Sequence, residues 1–127
     1  PEEELEAKIE SMASQVQNKR NCIFNLHCPP VNTVLDQAPK LDENLRVQMG
    51  LSGQEMISAG SVAVRKLIEK YQPLLGLHGH IHESKGVANI GRTLCVNPGS
   101  EYSEGILRGC IIRLKEDGVE SYYFLSG

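Results

Sequence analysis

The stretch from Leu74 to Ser84, LLGLHGHIHES, constrains this chain more than any other: an apolar run of strand character stops at Gly79 and gives way to imidazoles. Three of the four histidines, His78, His80 and His82, lie in it. His80 and His82 are two residues apart, so an extended backbone would project both rings to one side, within reach of one metal ion or two adjacent ones. Gly79 allows a sharp turn and a close approach of backbone to whatever the rings bind. The remaining histidine, His27, holds a matching place after the apolar run Cys22 to Leu26 and before Pro29 and Pro30. In open α/β sheets, ligands gather outside the carboxyl ends of the strands, on the loops that follow. One histidine after a strand is more often a hydrogen-bonded structural residue than a ligand. Two at this spacing after glycine, with a third after another strand, point to a metal.

The chain order supports a shared site. Pro1 to Arg20 reads as an amphipathic helix with Leu5, Ile9, Met12 and Val16 as its stripe, glutamates at its start and Lys19 and Arg20 at its end. Cys22 to Leu26 lacks alternation and reads as a strand buried on both faces. Pro29 and Pro30 stiffen the loop that carries His27. Val31 to Gly60 is polar and long for a connection, with short helical turns expected near Asp42 to Met49 and Gln54 to Ser58. Lys40 and Arg46 in it are candidate phosphate contacts, and solvated cations on the blander reading. Ser61 caps the next helix, whose stripe is Val64, Leu67, Ile68 and Tyr71, and Pro73 ends it. A strand, helix, strand order then sets the Cys22 and Leu74 strands parallel, with His27 beside His80 and His82. Two hairpins follow, one across Gly91-Arg92 and one across Glu116-Asp117-Gly118.

The segments NLHCPP (Asn25 to Pro30), LHGHIHES (Leu77 to Ser84) and VNPGS (Val96 to Ser100) together resemble the C-terminal half of calcineurin-like metallophosphoesterases. The resemblance implies an α/β fold, the C-terminal half of an αββα sandwich with mixed parallel and antiparallel strands, in which residues 1–127 form one part of the domain. It implies two divalent metal ions of Mn, Fe or Zn type, with His27 and His80 on one and His82 on the other, and hydrolysis of a phosphate ester or diester. His78 is expected to orient the site from behind the ligands. The D-x-H, G-D and G-N-H-[DE] segments of that family's N-terminal half do not occur, and Asp36, Asp42 and Asp117, the three aspartates, stand in other settings. The carboxylates and the catalytic histidine are therefore expected from an N-terminal half of the same domain, and this segment alone is expected to be inactive.

Two rival classes remain. One is a binding or scaffold module that keeps the fold without hydrolysis. The other is a structural zinc domain using the three histidines and Cys28, whose spacing matches no usual zinc-finger pattern. A net charge of −3 leaves no basic footprint for nucleic acid as a main partner. No apolar run approaches a membrane span. Cys22, Cys28, Cys95 and Cys110 form no C-x-x-C pair, which fits a reducing cytoplasm. An apolar sheet face left open by the missing half is expected to favour self-association.

Overall fold

The computed structural model describes residues 1–127. Twelve regular elements follow one another: α1 (Glu2–Ser14), β1 (Ile23–Asn25), β2 (Gln37–Pro39), β3 (Met49–Gly50), β4 (Gly53–Gln54), β5 (Met56–Ser58), α2 (Val62–Tyr71), β6 (Leu75–Leu77), β7 (Gly86–Ile90), β8 (Thr93–Asn97), β9 (Arg108–Lys115) and β10 (Gly118–Ser126). The main sheet has the order β1-β6-β8-β7, in which β6 runs parallel to both β1 and β8 while β7 is antiparallel. The protein is thus α/β with a mixed sheet. Parallel neighbours need a crossover, and α2 supplies it between β1 and β6. Its start is fixed by Ser61, whose Oγ accepts from the Val64 N–H at 3.1 Å.

Both faces of the sheet are packed. On one, Ile9 and Ala13 of α1 and Val64, Leu67 and Ile68 of α2 meet Phe24, Ile90 and Cys95. On the other, Leu74, Leu75, Leu94 and Val96 meet Cys110, Ile112, Val119 and Phe124 of the long β9–β10 hairpin. The layers are helices, sheet and hairpin. The outer face of that hairpin, with Ile111, Tyr123 and Leu125, is exposed.

Three expectations are corrected. The first helix ends at Ser14, and Lys19 and Arg20 belong to a separate 3-10 turn, Lys19–Asn21. Ser14 Oγ and Gln15 Nε2 both donate to the Ser11 carbonyl, a local alternative to the helical ladder. The buried stripe accordingly runs through Ile9 and Ala13, while Met12 faces solvent. Secondly, β1 is not buried on both faces: it is an edge strand in which only Phe24 is buried. The β9–β10 hairpin covers the inner strands and leaves Ile23 and Asn25 open.

The third correction concerns Val31 to Gly60, which forms no helical turn. β2 pairs with β5 and, beyond them, β3 pairs with β4, giving an arm of nested hairpins. Its root is held by Asp36, fully buried, which accepts from the N–H groups of Asn32, Thr33 and Gly60 and from the Ser58 hydroxyl. Burial pushes the Asp36 carboxyl up, but the Ser58 hydroxyl and the Gly60, Thr33 and Asn32 N–H groups outweigh it and hold it below the usual 3.8. No helix is long and apolar enough to cross a membrane.

Candidate metal centre

β1 and β6 lie side by side in register, Ile23 beside Leu75 and Asn25 beside Leu77. Their carboxyl ends therefore deliver His27 and His78 to adjacent positions. The junction is stitched by backbone bonds: Leu26 N–H to Leu77 O at 3.0 Å, and Gly79 N–H to His27 O at 2.9 Å. The His27 and His80 rings stand edge to face with centroids 5.5 Å apart.

Gly79 is needed for its lack of a side chain rather than for a left-handed turn. A Cβ there would sit 3.2 Å from His27 Cε1 and Nδ1, in the space the imidazole occupies. The left-handed residue is His80 itself, with φ 63°. The extended backbone expected from Gly79 to His82 does not exist. A side chain with a Cβ rarely adopts this conformation, and such strain concentrates at functional positions.

His82 follows in a turn whose backbone is fixed from β8. Asn97, 1% exposed, donates from Nδ2 to Ile81 O at 2.9 Å and accepts the Gly99 N–H on Oδ1 at 2.9 Å. The Ser100 N–H reaches His82 O at 3.1 Å. The His82 ring turns toward Tyr102, edge to face at 5.6 Å between centroids. His27, Gly79, His80, Ile81, His82, Asn97, Gly99 and Ser100 line one cavity of about 220 Å³. A polar pocket of about 470 Å³, with Lys85, Glu101 and Arg108 in its wall, adjoins it at His82.

His78 is buried and points the other way. Its Nδ1 lies 2.8 Å from Leu26 O and 3.2 Å from Cys28 O, the two carbonyls flanking His27. Both are acceptors, so Nδ1 carries the proton. Nε2 is buried without a partner, against Gly76, where a Cβ would lie 2.7 Å away. Burial lowers the pKa of this imidazole, although the Leu26 and Cys28 carbonyls favour its charged form. A neutral His78 thus ties down the backbone on both sides of His27.

His27 and His80 are brought together, with His82 on the same cavity but facing Tyr102. No group of three or more His, Cys, Asp or Glu side chains is close enough to hold an ion. Cys28 does not join the histidines: its thiol contacts Pro29 O at 3.7 Å, and burial with the charge of Glu2 pushes its pKa up. The four-ligand zinc set is therefore not assembled. Lys40 pairs with Glu55 on the arm at 3.4 Å, and neither it nor Arg46 lines the cavity. Asn97 and Tyr102 were not singled out by the sequence. The NPGS turn was the available signal for Asn97; nothing local announced Tyr102.

Fold and site together define an α/β protein whose neighbouring parallel strands end in an imidazole-lined cavity. No protein-family model matches the chain. It is 34% identical over 101 residues to the uncharacterized protein MJ1162 of Methanocaldococcus jannaschii, a match covering 77% of this chain and 40% of that protein. A solved crystal structure resembles it with a TM-score of 0.55 at 23% identity, over 99% of this chain and 36% of the other. The chain thus spans well under half the length of either.

Proposed function

We propose that this segment is the histidine-bearing half of a metal-dependent phosphoesterase of calcineurin-like type, acting on a phosphate mono- or diester once an N-terminal half completes the site. The observation that carries the reading is the His27–His80 pair at the ends of adjacent parallel strands, with Gly79 leaving room for the His27 ring. The residues fit one side of a metal centre. Imidazole ligands suit Zn or Fe, and a Mn-type ion would draw its harder oxygen ligands from carboxylates outside this segment. Bound there, a pair of divalent ions supplies charge stabilisation of the phosphate and an activated water. His27 and His80 would hold one ion and His82 the other. His78 keeps the His27 loop in place, and Asn97 keeps the Gly79–His82 turn in place.

The open edge of β1 supports the expected partner half. Leu74 N–H donates to Cys22 O and Leu26 N–H to Leu77 O, so alternation turns the backbone groups of Ile23 and Asn25 away from β6, toward solvent. A parallel strand added there would end beside His27, where carboxylates are lacking. The exposed outer face of the β9–β10 hairpin is where the fourth layer of an αββα sandwich would lie.

The test is turnover of bis-p-nitrophenyl phosphate with Mn by this chain, by the full-length product and by the two halves mixed. Turnover is expected from the full-length product and the mixture, abolished by His80→Ala, and not from this chain alone. Turnover by this chain alone would contradict the two-half reading. No turnover by the full-length product across several phosphate esters would favour the scaffold module instead.

A further inference from the structure

The histidine-lined cavity and the polar pocket beside it share His82, Gly99 and Ser100 as wall. A group attached to a phosphate held at His82 therefore extends into the pocket, whose volume is about 470 Å³. Ligand pockets are ordinarily lined for the most part by apolar side chains. This one is not: apart from Pro98, its wall is glycine, His82 and side chains that carry a charge or a hydroxyl. Its frame is fixed by the backbone. The Ser100 N–H ties it to His82 O at 3.1 Å, and the Glu104 and Ile106 N–H groups both donate to Glu101 O, at 3.0 and 3.2 Å, with Gly105 at φ 74° between them. Arg108 Nε and Nη2 converge on one oxygen of Glu101, Oε2, which leaves Glu101 Oε1 and Arg108 Nη1 without a protein partner. The Ser103 hydroxyl donates to Glu104 Oε2 at 2.8 Å, and Oε1 of that carboxylate is free. Lys85 is in no ion pair, its Nζ standing 4.9 Å from the centre of the Phe124 ring.

We infer, resting on the phosphoesterase reading above, that this pocket receives the alcohol portion of the ester and that this portion is an uncharged polyol of sugar type. A hydroxyl both donates and accepts, and the wall offers both kinds of partner: carboxylate oxygens on Glu101 and Glu104, N–H groups on Arg108 and Lys85. The Glu101–Arg108 pair suits two hydroxyls on neighbouring carbons, one donating to Oε1 while the next accepts from Nη1. Hydrogen bonds of this kind are charge-assisted on the protein side and strong. Other alcohols fit worse. An aryl or acyl group would strip water from these charges and find only Pro98 in return. A second phosphate would meet Glu83, Glu101 and Glu104, with Lys85 as the one cation not already paired. An ammonium group would lie beside Lys85 and Arg108. A site that hydrogen-bonds substrate hydroxyls rejects an analogue lacking them far more strongly than an apolar pocket rejects a missing methylene.

The test compares sorbitol 6-phosphate with hexyl phosphate, two primary alkyl esters that differ in hydroxyls, as monoesters and as their p-nitrophenyl diesters, using the full-length product with Mn. A kcat/KM at least tenfold higher for the sorbitol ester is expected. Arg108→Lys, which keeps the charge beside Glu101 but loses the spare N–H, and Glu104→Gln should each lower kcat/KM for the sorbitol ester at least fivefold more than for the hexyl ester. Both side chains lie outside the two cores, and the hexyl ester reports any general loss of fold or metal in the same variants. Turnover of bis-p-nitrophenyl phosphate with no preference for the sorbitol ester, or a preference that both variants keep, would overturn the inference and leave the phosphoesterase reading standing. No turnover of any of these esters would overturn both.

Discussion

Two segments leave the same end of the main sheet and are built in opposite ways. The one after β6, His78 to Ser84, is short and tied to its neighbours along its length: His78 to Leu26 and Cys28, Gly79 to His27, Ile81 to Asn97, His82 to Ser100 and Ser84 to Gln37. The one after β1, Val31 to Gly60, is long and is held only at its root, by buried Asp36, by Leu35 in the core and by the Ser84 hydroxyl on Gln37 O, with its far end in solvent. Distributed ties hold ligand geometry against any one loss. Ties gathered at one root concentrate the stability of a whole segment in the few residues there, Asp36 foremost.

That contrast sets the order of the expected effects. Asp36→Ala should be the most damaging, since it removes the shared acceptor of the Ser58 hydroxyl and of three part-buried backbone donors and empties a buried position. A cost of about 3–5 kcal/mol is expected, read from urea unfolding, with amide protection lost throughout the arm. Because the folded Asp36 pKa lies below 3.8, its contribution is complete above about pH 3.8 and fades as pH falls through the folded value. Asp36→Asn should flatten that part of the acid unfolding profile. An Asp36→Ala variant as stable as the parent would remove the contrast altogether.

His78→Ala should cost less, about 2–3 kcal/mol, because it frees two carbonyls and opens a cavity while the backbone stitches remain. Gly76→Ala, with its Cβ 2.7 Å from His78 Nε2, should fall in the same range through overpacking. Both are read from urea midpoints. The smallest effect on stability, within about 1 kcal/mol, is expected for Gly79→Ala, where the His27 ring can swing away into open space. Its cost should appear at the site instead, as a tenfold or greater loss of metal affinity in calorimetric titration.

How far the sequence could be read follows the same division. The parallel strands, the α2 crossover, both late hairpins and the meeting of His27 with His80 were legible, because each rests on short-range pattern or on one topological rule. Within the site, the extended Gly79–His82 backbone was the wrong premise. His80 is left-handed at the centre of a tight turn, in which the Ile81 N–H donates to Gly79 O at 2.7 Å while His27 O holds Gly79 and Asn97 holds Ile81, ties from distant segments that no local propensity reports. The arm was missed for a related reason. Its pairings depend on Asp36 reaching Ser58 and Gly60 across more than twenty residues, and its nested strands are too short to show alternation. The openness of β1 was hidden likewise: Cys22 to Leu26 looks the same on an edge as in a centre, and only the reach of the β9–β10 hairpin decides.

On the proposed reading, His27 and His80 act together as ligands to one ion. Calorimetric titration of this chain with Zn at neutral pH, beside His27→Ala, His80→Ala and His82→Ala, tests it most directly. At most one weakly bound ion is expected, lost in either of the first two variants and largely kept in the third, since a pair of cations needs carboxylates to offset their repulsion. Binding that survives both His27→Ala and His80→Ala would contradict it.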